Sequence, residues 1–364
     1  MTTGAWLRRA GGFTVTEMMV ALTLGLILLG GVTTVLVNSK KHYVVQDSLG
    51  RLQENARFAL AFLSRDLRMA GHYGCSDQLT EVYNHVNEGA TGSLFDADVP
   101  LEGYEQNGTG WYPSGNTDIS SIYYGTDAIT IRYASGADAI PVEKPYMPQE
   151  SAALHIAPGN GLKKGDIVAV TDCASADIFQ ITGPDDPDQT GTINHNTGNA
   201  GVTPGNATKP LSKTYEEDSY IMKLVSVRYF VGTGASGNPA LFRAGLQTDA
   251  SGNNVEVANE LVDGIENLQI LYGEDTQNND RIPDVYRTAD QVSDWNNVVA
   301  VRITLLAYTQ ASATESGEYA AGADNPETTY DLGFMGSTAD QVGSQTGNRK
   351  RRIFSTTVVL RNLQ

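Results

Sequence analysis

The strongest pattern in the chain is one unbroken apolar run near its start. From Phe13 to Val37 the sequence reads FTVTEMMVALTLGLILLGGVTTVLV, with Glu17 as its only charge. The uncharged part, Met18 to Val37, spans about 30 Å as a helix, one hydrocarbon core. Beyond it the apolar positions thin to a stripe. Leu49, Leu52, Ala56, Ala59, Leu60, Leu63 and Leu67 recur at intervals of three and four, which is one face of a helix. Gln53, Glu54, Arg57, Arg65, Asp66 and Arg68 fill much of the remainder. No proline interrupts Phe13 to Met69, so the pattern predicts a single helix over that range, with Gly71 as its stop. Gly25, Gly30 and Gly31 read either as packing sites against other helices or as points of local unwinding.

From residue 76 onward the period changes to two. Alternating or β-branched runs predict strands at Ala128–Tyr133, Asp166–Thr171, Asp177–Thr182, Tyr220–Val231, Ala240–Arg243, Ile265–Tyr272, Val298–Tyr308 and Ile353–Arg361. Thr288 to Trp295 has room for one short helix. Gly183 to Pro210 and residues 310–348 are polar and read as long loops. A long N-terminal helix packed on an antiparallel β domain is an α+β fold.

Composition sharpens this picture. The formal charge is −17, which repels phosphate backbones and argues against non-specific nucleic-acid binding. Gly is high at 38 residues and charged residues are few at 18%, a balance that suits a β-rich extracytoplasmic protein. Two cysteines, Cys75 and Cys173, exclude a disulfide-scaffold protein and a Cys-rich zinc site. In an oxidising compartment a bridge between them would contribute about 4–5 kcal/mol in the chain-entropy model. In a reducing one they are two buried thiols.

The chain ahead of the apolar run decides how that run is used. Met1 to Gly12 is short and polar, with Arg8 and Arg9 as cations. A cleaved secretory signal and a plain signal anchor are the competing readings. The run is long for a signal core, no small-x-small site follows it, and it continues into the amphipathic stripe. Gly11-Gly12 precedes Phe13, and Glu17 is the fifth residue counted from Phe13. This arrangement resembles the prepilin signature. The resemblance implies that prepilin peptidase cuts between Gly12 and Phe13 and that the new amine of Phe13 is methylated. It also implies that Glu17 pairs with the amine of a neighbouring subunit and sets its register during assembly. A charge in an apolar medium is costly alone and less so when paired.

Further segments narrow the family. They are Gln53-Glu54-Asn55-Ala56-Arg57-Phe58-Ala59-Leu60 with Asp66 to Gly71 and Cys75, then Val170–Cys173 with Ala176–Gln180, Leu261–Leu268 with Tyr272-Gly273, and Phe354–Val358 with Leu360–Asn362. Together they resemble the PilW family of large minor pilins. That resemblance implies a leader at 1–12, a membrane and pilin helix at 13–70 and a β-rich head at 71–364. It implies a single-pass inner-membrane protein, N-terminus cytoplasmic and head periplasmic, later carried into the pilus, with a place in the priming or tip complex. Both cysteines then lie outside the cytoplasm, where a Cys75–Cys173 disulfide persists. The implied partners are other minor pilins, the major pilin, prepilin peptidase and a PilY-type tip adhesin. No enzymatic role is expected. A J-type pseudopilin of type II secretion shares the same design, and a surface-binding module is the other alternative.

Four further motifs carry candidate chemistry. Asp275-Thr-Gln-Asn-Asn-Asp280-Arg-Ile-Pro-Asp284 spaces oxygen ligands closely, as calcium requires, with Asp275, Asp280 and Asp284 as first ligands, although the usual loop spacing is missed by one residue. An acidic turn is the plainer reading. Gly232-Thr-Gly-Ala-Ser-Gly237 matches a dinucleotide fingerprint, but Asn238-Pro239 follows in place of a helix, so it reads as a hairpin loop. The five histidines show no metal spacing. Arg349-Lys-Arg-Arg352 reads as a solvated basic face or a partner contact.

Overall fold

The computed structural model describes residues 12–74, 81–87, 94–96, 99–106, 111–112, 125–136, 139–198, 200–277, 279–309, 330–331, 341–342 and 349–362. Helix α1 runs from Val15 to Met69 without a break. The strands follow as β1 (Glu81–Asn84), β2 (Leu101–Gln106), β3 (Trp111–Tyr112), β4 (Ala128–Ala134), β5 (Ile140–Pro141), β6 (Leu154–His155), β7 (Ile167–Thr171) and β8 (Ser175–Gln180). A short helix α2 (Pro187–Thr190) leads to β9 (Thr192–Ile193), β10 (Tyr220–Thr233), β11 (Pro239–Thr248), β12 (Asn254–Asp263), β13 (Ile265–Glu274) and β14 (Val285–Arg287). The last are β15 (Val298–Tyr308), β16 (Tyr330–Asp331), β17 (Gln341–Val342) and β18 (Arg351–Val359).

The chain forms two compact units, one ending at Arg51 and the other beginning at Leu52. The division falls inside α1 and not at its end. In the first unit the helix buries nothing: Leu22 is 65% exposed and Leu26 71% exposed. Four of its hydroxyls, those of Thr23, Thr33, Thr34 and Ser48, donate to the carbonyl four residues back, as a lipid environment favours. Thr23 Oγ1 donates to the Met19 carbonyl at 2.8 Å, and Thr33 Oγ1 to the Leu29 carbonyl at 2.7 Å.

In the second unit the same helix becomes part of a core. Leu52, Ala56, Ala59, Leu63 and Leu67 are buried on one face, against Ile129 and Ile131 of β4, Val227 and Val231 of β10, Leu268 and Ile270 of β13, and Val301, Ile303 and Leu305 of β15. The two alanines allow helix and sheet to approach closely. Asn55 Nδ2 donates to the Asp263 carbonyl at 2.9 Å, and Asn362 Nδ2 to the Arg68 carbonyl at 3.1 Å, so the helix is also tied down along its length. Gly71, at φ +73°, turns the chain out of the helix in a conformation that costs other residues strain, and its N–H donates to the Arg132 carbonyl at 3.0 Å.

Two main sheets face this helix. β14-β13-β15-β18 is wholly antiparallel, and β15 and β18 pair over the full nine residues from Arg351 to Val359. The larger sheet has ten strands arranged around β10. That strand pairs with β7 through Tyr220–Lys223, with β4 through Leu224–Tyr229 and with β11 through Val227–Thr233. The β1–β8 pair is the parallel one among the described ladders. A second apolar cluster, with Val168, Val170, Phe179, Ile181, Tyr215 and Ile221, lies under β7 and β8.

Gly183 to Pro210 is not an unstructured loop. It contains α2 and β9, and its polar side chains replace a ladder. Asn206 Nδ2 donates to the Gln180 carbonyl at 2.8 Å, while the Asn206 Oδ1 accepts from the Gln180 N–H at 2.7 Å. Of residues 310–348, only β16 and β17 fall within the described residues.

Candidate functional site

The N-terminal end of α1 carries the residues singled out from the sequence. Gly12 and Phe13 precede the helix, and Phe13 is 86% exposed. Thr14 and Glu17 form a reciprocal cap. The Thr14 N–H donates to Glu17 Oε2 at 3.0 Å, Thr14 Oγ1 donates to the same oxygen at 2.9 Å, and the Glu17 N–H donates to Thr14 Oγ1 at 3.3 Å. This is a Thr-x-x-Glu capping box, which satisfies backbone donors that the first turn leaves open. It holds the carboxylate at the helix start, next to Phe13. Thr14 was not singled out from the sequence, although its three-residue spacing from Glu17 is the capping-box signal.

A second constellation sits where α1 enters the head. Asp66 was placed on the polar side of the helix by its charge. The structure corrects this: Asp66 is buried, 5% exposed, because its position follows Leu63 by three on the apolar face. Tyr133 Oη of β4 donates to Asp66 Oδ1 at 3.0 Å, and Tyr229 Oη of β10 donates to Oδ2 at 2.6 Å. Arg243 Nε of β11 donates to Asp66 Oδ2 and to Tyr229 Oη, each at 3.1 Å. Burial, joined by the neighbouring Asp66 charge, pushes the Tyr133 hydroxyl up to about 12 and the Tyr229 hydroxyl up as well. Burial alone would lower the Arg243 guanidinium, but the charges of Tyr229 and Asp66 raise it. The two tyrosines therefore stay protonated and Arg243 stays charged at neutral pH. The arrangement locks the helix to three strands and leaves no free nucleophile or base.

Another buried carboxylate, Asp177 of β8, pins the segment after β9. It accepts from the Ser212 N–H at 2.9 Å and from Ser212 Oγ at 2.6 Å, and it bonds to His85 and Tyr215. Burial works to raise this carboxyl, and the bonds from His85, Ser212 and Tyr215 bring it below its usual range.

The other sequence candidates are dispersed. Cys173 is disulfide-bonded, and Cys75, the other cysteine of the chain, lies outside the described residues. The Gly232–Gly237 motif is the turn of the β10–β11 hairpin, closed by the Gly234 N–H on the Asn238 carbonyl at 2.7 Å. In the acidic segment, Asp275 accepts from the Asn279 N–H at 3.1 Å and the Arg281 N–H at 2.7 Å. Asp284 accepts from the Thr276 and Gln277 N–H groups at 2.8 and 2.9 Å, and Asp280 from the Ile282 N–H at 2.9 Å. The basic run does not form one solvated face. Arg351 is buried and grips Glu266 through two bonds, of 2.5 and 3.0 Å, while Arg349 lies 4.6 Å from the Tyr308 ring centre. Arg352 is exposed.

Comparison with known families agrees with the two ends of this picture. Residues 7–33 match the prokaryotic N-terminal methylation motif, the segment that contains Phe13, Glu17 and the start of the exposed apolar helix. Residues 228–362 match the family model described as Type IV Pilus-assembly protein W, from β10 through β18. No curated protein and no solved structure matches the chain. These domains indicate a structural protein that is anchored in a membrane and associated with a pilus. The chain is thus similar over residues 228–362 to type IV pilus-assembly protein W, and over residues 7–33 to the methylated N-terminus of pilin-type proteins.

Proposed function

We propose that this protein is a minor pilin that enters the pilus through α1 and acts in the priming or tip complex. The observation that carries the reading is the exposed apolar helix of the first unit, with Glu17, the only charge of its apolar run, held by Thr14 close to Phe13. In this reading prepilin peptidase cuts between Gly12 and Phe13, and the N-methylated amine of Phe13 is the new end of the chain. Glu17, displaced from Thr14 or shared with it, accepts the amine of a neighbouring subunit within the apolar bundle. Pairing offsets the cost of either charge alone and fixes the axial register. The N-terminus begins cytoplasmic and the head periplasmic, where the Cys75–Cys173 bridge forms. The large head, with its many-stranded sheets, suits an end position better than a repeating shaft. Other minor pilins, the major pilin and a tip adhesin are the partners.

Intact mass and N-terminal sequencing of the membrane-extracted protein test the reading. The expected species begins at N-methyl-Phe13 and gains two hydrogens on reduction. Glu17→Ala is expected to leave cleavage intact and to abolish incorporation into pili. An uncleaved Met1 in a host with active prepilin peptidase would sink the proposal.

A further inference from the structure

The head is acidic in sum, with Asp+Glu 42 against Lys+Arg 25 along the chain. One groove departs from that balance. A cavity of about 1070 Å³ lies along the outer side of the head's portion of α1, and among the described residues no acidic side chain lines it. Arg57, Arg65 and Arg68 come from the helix and Arg243 from β11. The three helix arginines are exposed, and none forms an ion pair with a described residue. Arg243 uses its Nε on Asp66 and Tyr229, and its side chain is 33% exposed. Apolar and aromatic surface accompanies the charge: Leu60, Met69, Tyr133 and Val225 line the cavity. Ser355 and Thr356 of β18 also border it. Successive strand residues point to opposite faces, so a cavity bordered by both runs past the edge of that strand.

We propose that this groove receives an acidic segment of a neighbouring pilus subunit. The inference rests on the assembly reading and names the chemistry of one contact within it. Guanidinium groups bind carboxylates through paired hydrogen bonds. Arginine and aromatic side chains beside apolar surface are the composition of interface hot spots. Arg65 and Arg68, three residues apart on the helix, repel one another in the isolated head, and a carboxylate-bearing partner removes that repulsion. Nucleic acid is disfavoured as occupant because the rest of the molecule repels it.

The test uses the full-length protein in detergent and a fluorescent peptide of alternating Glu and Leu. Its counterpart with Gln for Glu, and phosphatidylglycerol vesicles, serve as competing probes. The Glu peptide is expected to bind and to be weakened by salt. The charge reversals R57E, R65E and R68E combined should weaken it about tenfold or more, with the thermal midpoint unchanged. The combined R57Q, R65Q and R68Q variant carries the same test if the reversal does not fold. In cells, the reversal should reduce piliation while Phe13 is still exposed by cleavage. Equal binding of the Gln peptide, binding to vesicles alone, or unchanged binding and piliation in the variants would each overturn the inference. If Glu17→Ala loses pili while the arginine variants keep them, the assembly reading survives and the groove does not.

Discussion

Asp66 shows how much one side chain decides. Its carboxylate is the acceptor for Tyr133, Tyr229 and Arg243 together, so it joins α1 to β4, β10 and β11. Removing it leaves a half-buried guanidinium and two buried hydroxyls without their acceptor. Breaking a buried pair from one side costs about 3–5 kcal/mol, and the solvent access of Arg243 moves the expectation to the lower end. Asp66→Ala should therefore lower the unfolding free energy by about 3 kcal/mol in urea denaturation, and Tyr229→Phe by about 1 kcal/mol. A loss near zero for Asp66→Ala would mean that the apolar face alone seats the helix. This residue was not legible in the sequence as a core group, because charge outweighed position: an Asp on a helix reads as solvated until its partners, distant along the chain, are known. Glu17 stood out in the sequence as the only charge of an apolar run, whereas the cap it makes with Thr14 came only from the structure.

At the scale of elements, strands with a buried face announced themselves and polar ones did not. Val298–Tyr308 was read with both ends correct, since all but two of its residues are buried. β12 buries only Asn254 and Val262 and leaves half of its residues exposed, Val255 included, so pairing with β11 makes it a strand. β18 begins earlier than expected because Arg351 is neutralised by Glu266 and can be buried. The Gly183–Pro210 segment was hidden for a related reason: Asn206 and Gln180 supply side-chain hydrogen bonds where a ladder would show as β-branched residues. The acidic segment from Asp275 to Asp284 follows the same principle. Its carboxylates accept the loop's own N–H groups, so the turn closes on itself. Millimolar calcium is expected to leave the thermal midpoint unchanged, whereas Asp275→Ala should lower it, because the Asn279 and Arg281 N–H groups lose their acceptor. A rise of several degrees with calcium, lost in Asp284→Ala, would assign the cation to this loop.

For the whole molecule the decisive fact is that one helix serves two environments. The apolar run and the amphipathic stripe were both legible, and so was their continuity. The place where the helix changes allegiance was not, because periodicity shows a face but not what covers it. The change lies between Arg51 and Leu52, inside the helix, and everything from Leu52 onward belongs to the head. Leu52, Leu63 and Leu67 are each at most 2% exposed. At about 1.5–3 kcal/mol apiece, their burial is comparable with the whole stability of a domain, about 5–15 kcal/mol. A chain beginning at Leu52 should therefore be soluble without detergent and unfold in one cooperative step, since the exposed apolar run is gone and the core is intact. A chain beginning at Gly71 loses the same three leucines together with Ala56, Ala59 and Asp66, and uncovers the inner faces of β4, β10, β13 and β15. It should aggregate or show the broad, weak near-UV signal of an unpacked core. Size-exclusion chromatography and thermal unfolding of the two chains decide the matter. If the chain from Gly71 folds with the midpoint of the chain from Leu52, the helix is a passenger on the head and not a part of its core. If only the longer chain folds, a subunit pulled by its helix carries the head with it, as the proposed incorporation into a filament requires.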